Sequence, residues 1–124
     1  MVDAPRLARY ALDMEWFRAA LAARPSSVPA WNGLGIAIRD MGKPAAAIPY
    51  FQRAIALDRK CAPAHVGLGV ALFAGPRDTP AAVGCFREAV RLDPESVQGH
   101  TNLGVALLVQ GKLVEAEESL ERAI

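Results

Sequence analysis

A chain of 124 residues with a formal net charge of +1 fits one domain and carries no strong electrostatic field. Its 14 basic residues are scattered rather than striped, which excludes the footprint of a nucleic-acid binder, and two cysteines, Cys61 and Cys85, are too few for a disulfide framework. The opening MVDAPRLARY has no apolar core behind a basic start, and the longest uncharged runs, 61–76 and 96–111, fall short of the ~20 apolar residues of a membrane span. A soluble, cytoplasmic protein is expected.

Residues 1–27 hold one helical stretch that stops before Pro25. The segment AWNGLGIAIRDMGKPAAAIPYFQRAIALDRK then holds two, parted by Gly42-Lys43-Pro44. Trp31, Leu34, Gly35 and Ile38 recur at helical spacing in the first, and Ala47, Phe51, Ala54 and Ile55 in the second. Pro49 lies inside that second helix, removes one hydrogen bond and predicts a kink or tightening near Ala45–Ala46. AHVGLGVALFAGPRDTPAAVGCFREAVRLDP repeats the arrangement with one extra residue in its turn, which predicts a protruding, mobile tip. GHTNLGVALLVQGKLVEAEESLERAI repeats it again, turning at Gly111. GLGIAI at 33–38 thus returns as GLGVAL at 67–72 and NLGVAL at 102–107, at offsets of 34 and 35 residues. Self-similarity at such a period signals a stacked array. A dinucleotide loop would need glycine where Ile38 stands and a strand before it, so the glycines read as packing positions.

These units resemble the tetratricopeptide repeat, whose pattern runs Trp-x2-Leu-Gly-x2-Tyr, then Ala-x3-Phe, then Pro, over about 34 residues. The first supplies Trp31, Leu34, Gly35, Ala47, Phe51 and Ala54, with Ile38 for the tyrosine and Arg59 for the closing proline. The second supplies Leu68, Gly69, Leu72, Ala82, Phe86, Ala89 and Pro94; the third supplies Leu103, Gly104, Leu107, Ala116 and Ala123, with Leu120 for the Phe. His65 and His100 stand in the tryptophan slot. Phe17, Ala20 and Pro25 match a second helix alone, with Asp13 in place of its small alanine. The resemblance implies an all-α solenoid, a right-handed superhelix of antiparallel helix pairs, divided as 1–27, 28–61, 62–96 and 97–124. It also implies that Gly35, Gly69 and Gly104 are close-approach points opposite Ala47, Ala82 and Ala116, and that first helices line a concave face.

No Asp, Glu, Lys or Arg occurs in 61–76 or 96–111, so the first helices of the second and third units are uncharged, and a helix apolar all round is normally covered all round. A groove is therefore expected with a polar lip at Asn32, Ile36, Arg39 and Asp40, an apolar floor at Val66, Val70, Phe73, Thr101, Val105 and Leu108, and Asn102 adding polar selection at the edges with Asn32, Arg39 and Asp40. A docked partner helix would anchor through apolar residues at i, i+3, i+4 and i+7. The family's clamp for chaperone C-termini needs Lys, Asn and Arg on this face; the second and third units offer no Lys or Arg there, so it is rejected. Asn102 matches one rung of the asparagine ladder of protein glycosyltransferase arrays, and Gly33 and Gly67 occupy the other two.

No catalytic constellation emerges. His65 and His100 sit one repeat apart, too far for one metal ion, and read as structural. Cys61 and His65, four apart, fall short of the four ligands of structural zinc. Cys85 reads as a small buried residue beside Phe86, and the 115–121 glutamates as a solvated face. The expected function is a non-enzymatic protein-interaction scaffold for a partner helix or peptide, with no cofactor, metal, nucleic acid, membrane or small-molecule substrate. Two alternatives stand beside it: a substrate-presenting arm of a larger enzyme such as a protein glycosyltransferase, and self-assembly through uncapped repeat ends, since Leu120, Ala123 and Ile124 offer an apolar edge.

Overall fold

The computed structural model describes residues 4–124; the first three residues of the 1–27 segment lie outside them. Among the described residues the regular structure is seven α-helices: α1 Ala4–Ala23, α2 Val28–Asp40, α3 Pro44–Leu57, α4 Ala62–Ala74, α5 Thr79–Leu92, α6 Val97–Val109 and α7 Leu113–Ala123. Local chemistry sets their ends. The hydroxyl of Ser27 accepts from the Ala30 amide at 3.3 Å, that of Ser96 from Gly99 at 3.0 Å, and the Asp78 carboxylate from Ala81 at 3.2 Å. Proline occupies the first turn of α2, α3, α4 and α5, where its missing N–H costs nothing. Gly42 and Gly111 close α2 and α6 at φ of +86° and +77°, a conformation that favours glycine and lets the next amide reach back to the Ile38 or Leu107 carbonyl.

The turn with the extra residue is built differently. Arg77 takes the left-handed conformation at φ 60°, and the Asp78 amide returns to the Leu72 carbonyl at 3.0 Å. Its root does not protrude: a side chain on Gly75 would meet the Ala45 backbone at 2.9 Å, so the loop is seated on the start of α3 and only Pro76–Asp78 are exposed. Pro49 is exposed and α3 runs unbroken through it. Arg59 changes little either, because the linkers use one turn: the Asp58 carboxylate accepts from the Lys60 amide at 3.0 Å, as Asp93 does from Glu95 at 3.2 Å.

Each helix packs on its chain neighbours, and the even-numbered helices also touch one another, α2 with α4 and α4 with α6. The odd-numbered helices have no close backbone approach to one another among the described residues, and α5 and α7 meet only through the Arg87–Glu115 side chains. Helices α2, α4 and α6 therefore form an inner layer, with α1, α3, α5 and α7 outside. Ala47, Ala54, Ala64, Ala71, Ala82, Ala89 and Ala116 are wholly buried, and their small size lets the layers close. Into that seam go Phe51 and Phe86. A Cβ on Gly35 would sit 2.8 Å from the Phe51 ring, and one on Gly104 2.6 Å from Leu120. The glycines thus receive the large side chain of the partner helix, and a Cβ on Gly104 would also meet the Ala116 carbonyl oxygen at 3.3 Å. Gly33 and Gly67 do the same across repeats, taking the rings of Phe17 and Phe51 from the preceding outer helix. Phe51 is held between two glycines, which joins the first pair to the second.

Candidate partner-binding groove

Three recesses run along the inner layer. The central one, about 260 Å³, brings together Ile36, Arg39, Val66, Val70 and Asn102, with Pro63 and Gln98 at its sides. A smaller, mostly apolar one of about 80 Å³ is formed by Val70, Phe73, Phe86, Asn102 and Val105. The third, about 250 Å³, takes Ile36 and Asp40 together with Tyr10 and Asp13 of α1. Of the residues expected in the groove, Asn32, Thr101 and Leu108 lie outside these recesses. Leu108 is 46% exposed on α6, Val105 43% and Ile36 36%, so the apolar surface continues past the recesses. Val66 departs from the expectation: it is buried, a wall behind the central recess rather than open floor. Val70 and Phe73 are half-buried and pack against the core around Phe86.

Tyr10 and Asp13 were not foreseen. They stand seven and four residues before Phe17, and so share its helix face; Phe17 packs on Gly33, which turns that face toward the inner layer. The groove has little charge. Its guanidinium, Arg39, pairs with Asp40 at 3.3 Å and stands 6.0 Å from the Phe51 ring centre. The Oδ1 of Asn32 is buried without a hydrogen-bond partner. The strong ion pairs lie on the outer helices. Arg87 of α5 reaches Glu115 of α7 at 2.8 Å, and Arg91 donates to Glu88 at 2.9 Å. Those hydrogen bonds hold the Glu115 and Glu88 carboxyls below the usual carboxylate range. Burial, reinforced by Asp78, pushes the Cys85 thiol up, which suits a packed rather than a reactive cysteine.

The histidines have a shared structural task. Trp31 donates its indole N–H to the Pro25 carbonyl at 2.8 Å; the His65 Nε2 stands 2.9 Å from the Arg59 carbonyl and the His100 Nε2 2.7 Å from that of Pro94. A carbonyl only accepts, so each imidazole carries its proton on Nε2. Histidine therefore keeps the ring donor that tryptophan supplies to the residue six before it. Among the described residues no three His, Cys, Asp or Glu are grouped so as to hold a metal ion, and no helix is long and apolar enough to cross a membrane.

The family model described as Tetratricopeptide repeat matches residues 32–82 and 77–124. The chain belongs to the tetratricopeptide repeat family. No curated protein sequence matches it. Among solved structures it is similar to MamA 41-end from Desulfovibrio magneticus RS-1, with TM-score 0.82 and 23% identity over 94% of this chain and 66% of that one. Another MamA crystal structure gives TM-score 0.78 and 24% identity, over 89% of this chain and 64% of the other. YrrB, described as a tetratricopeptide protein with an unusual peptide-binding site, gives TM-score 0.79 and 26% identity over 94% of this chain and 60% of its own. This chain thus spans about two thirds or less of the length of these relatives. The likenesses show the fold: an all-α solenoid of stacked helix pairs.

Proposed function

We propose that the concave face takes an apolar helix or extended segment of a partner protein, with 28–61, 62–96 and 97–124 as the repeating units that build it and no catalytic role. Tetratricopeptide repeats support a protein-interaction scaffold as the general function. The observation that carries the finer reading is the alignment of Ile36, Val70, Phe73 and Val105 along recesses of an inner layer whose α4 and α6 contain no charged residue. A partner presenting apolar side chains at i, i+3, i+4 and i+7 buries that surface without stranding a charge. Arg39 and Asn102, which line the central recess, and Asp40 beside it supply polar selection. The likeness to YrrB, itself described as peptide-binding, supports the same reading.

Selection of a random-peptide display library against the chain tests it. The expected products carry apolar residues at helical spacing and lose binding to Val105→Glu, a half-exposed position whose change leaves the core intact. Selected peptides that bind Val105→Glu as well as the parent would overturn the proposal. A second reading, self-association, is favoured by Val109, Leu113 and Val114, which are 61%, 65% and 71% exposed around the α6–α7 turn. Sedimentation velocity over a wide concentration range separates it: a constant monomer contradicts self-association, whereas a growing species supports it.

A further inference from the structure

A recess larger than any of the three in the groove lies outside it, on the opposite side of α6. It measures about 390 Å³ and is bounded by α5, α6 and α7, where the outer helices stand apart. Its lining includes Arg87, Arg91, His100, Glu115, Ser119 and Arg122 over an apolar floor of α6. His100 and Ser119 are the buried polar residues among the described ones, 3% and 8% exposed, and the Nδ1 of His100 has no hydrogen-bond partner among them. A buried polar atom without a partner is uncommon and calls for a reason.

The repeat itself shows what such a place holds. The first and third helix pairs align without a gap, so that Trp31, Tyr50 and Arg53 correspond to His100, Ser119 and Arg122. In the first pair these side chains form a stack: the Trp31 and Tyr50 rings are 6.0 Å apart, and the Arg53 guanidinium stands 5.9 Å from the indole centre. In the third pair both large rings are replaced by small polar groups while the guanidinium remains. Among the described residues Arg122 is in no ion pair, unlike Arg87 and Arg91.

We propose that this recess is a second binding site, a receptor for the tyrosine or tryptophan side chain of a partner protein. The incoming ring takes the place that Trp31 and Tyr50 fill in the first pair, lies against Arg122, and brings a phenol O–H or indole N–H to the acceptors His100 and Ser119. An anion fits less well, because Glu115 and Glu118 share the lining and Arg87 is already paired with Glu115. The site is independent of the concave groove.

The test is a titration of the isotopically labelled chain with N-acetyl-tryptophanamide up to about 10 mM, followed by amide chemical shifts, with N-acetyl-leucinamide and inorganic phosphate in parallel. Saturable shifts at His100, Ser119 and Arg122 are expected, with the leucine probe weaker by about tenfold. The double variant His100→Trp/Ser119→Tyr, which rebuilds the stack of the first pair, is expected to lose binding and to melt no lower than the parent. Arg122→Ala, at an exposed position, is expected to weaken binding several-fold without unfolding, and Val105→Glu to leave it unchanged. Equal binding of the leucine probe, binding of phosphate in place of the aromatic probe, or undiminished binding in Arg122→Ala would overturn the proposal. Loss of peptide binding by Val105→Glu with retained aromatic binding separates this site from the groove.

Discussion

The first and third helix pairs have the same register and the same turns, yet they are closed in different ways. In the first, Phe51 is wholly buried between Gly35 and Gly67, and Trp31, Tyr50 and Arg53 cluster on the outer side. In the third, Leu120 stands in place of Phe51 against Gly104, and a recess lies beside His100 and Ser119. One backbone plan thus serves two ends: large rings on glycine join repeats, and smaller side chains in the same slots leave recesses.

The widest contrast comes from truncating the two equivalent side chains. Phe51→Ala is expected to cost about 3–5 kcal/mol and Leu120→Ala, half-buried, clearly less, read as the shift of a urea unfolding curve; equal losses would break the comparison. Gly67→Ala places a methyl against the Phe51 ring and is expected to destabilise by about 1–3 kcal/mol in the same assay, since the ring is pinned from both sides. Trp31→Phe keeps an aromatic ring but removes the donor to the Pro25 carbonyl, for an expected loss of about 0.5–1.5 kcal/mol. Gly84 is exposed on α5 with nothing near its missing side chain, so Gly84→Ala should instead raise stability by about 0.5–1 kcal/mol. A loss there would mean that the helix surface is covered in solution.

The smallest effect is electrostatic. Arg87 holds the folded-state Glu115 carboxyl below its ordinary range, so the pair's contribution is complete above the ordinary glutamate value. It fades as pH falls through the lowered one. Arg87→Gln should flatten that slope in pH-dependent thermal melts, with little change near neutrality because the pair is exposed.

Much of this architecture is legible in the chain. The recurring Leu-Gly and Ala-x3-Phe slots mark the helix pairs, and most residues in them, Leu34, Ala47, Phe51, Ala82, Phe86, Leu103, Leu107 and Ala116 among them, are buried, whereas Leu68, Leu72 and Leu120 are half-buried. Residue spacing within a repeat shows which side chains share a face. It does not show what the next repeat brings. Gly33 and Gly67 therefore read as absent asparagines, although they are the seats of Phe17 and Phe51 from the preceding helix. Val66 reads as groove floor for the same reason: its burial depends on the neighbouring helices, and nothing in its own helix announces it. The recess beside His100 is likewise invisible until His100, Ser119 and Arg122 are set beside Trp31, Tyr50 and Arg53.

The central claim is that the inner layer, uncharged along α4 and α6, is where a partner docks. The direct measurement is amide hydrogen exchange of the chain with and without a library-selected peptide. Protection confined to α2, α4 and α6, centred on Ile36, Val70 and Val105, is the predicted result. Protection falling on α3, α5 and α7 instead, with the inner helices unchanged, would contradict it.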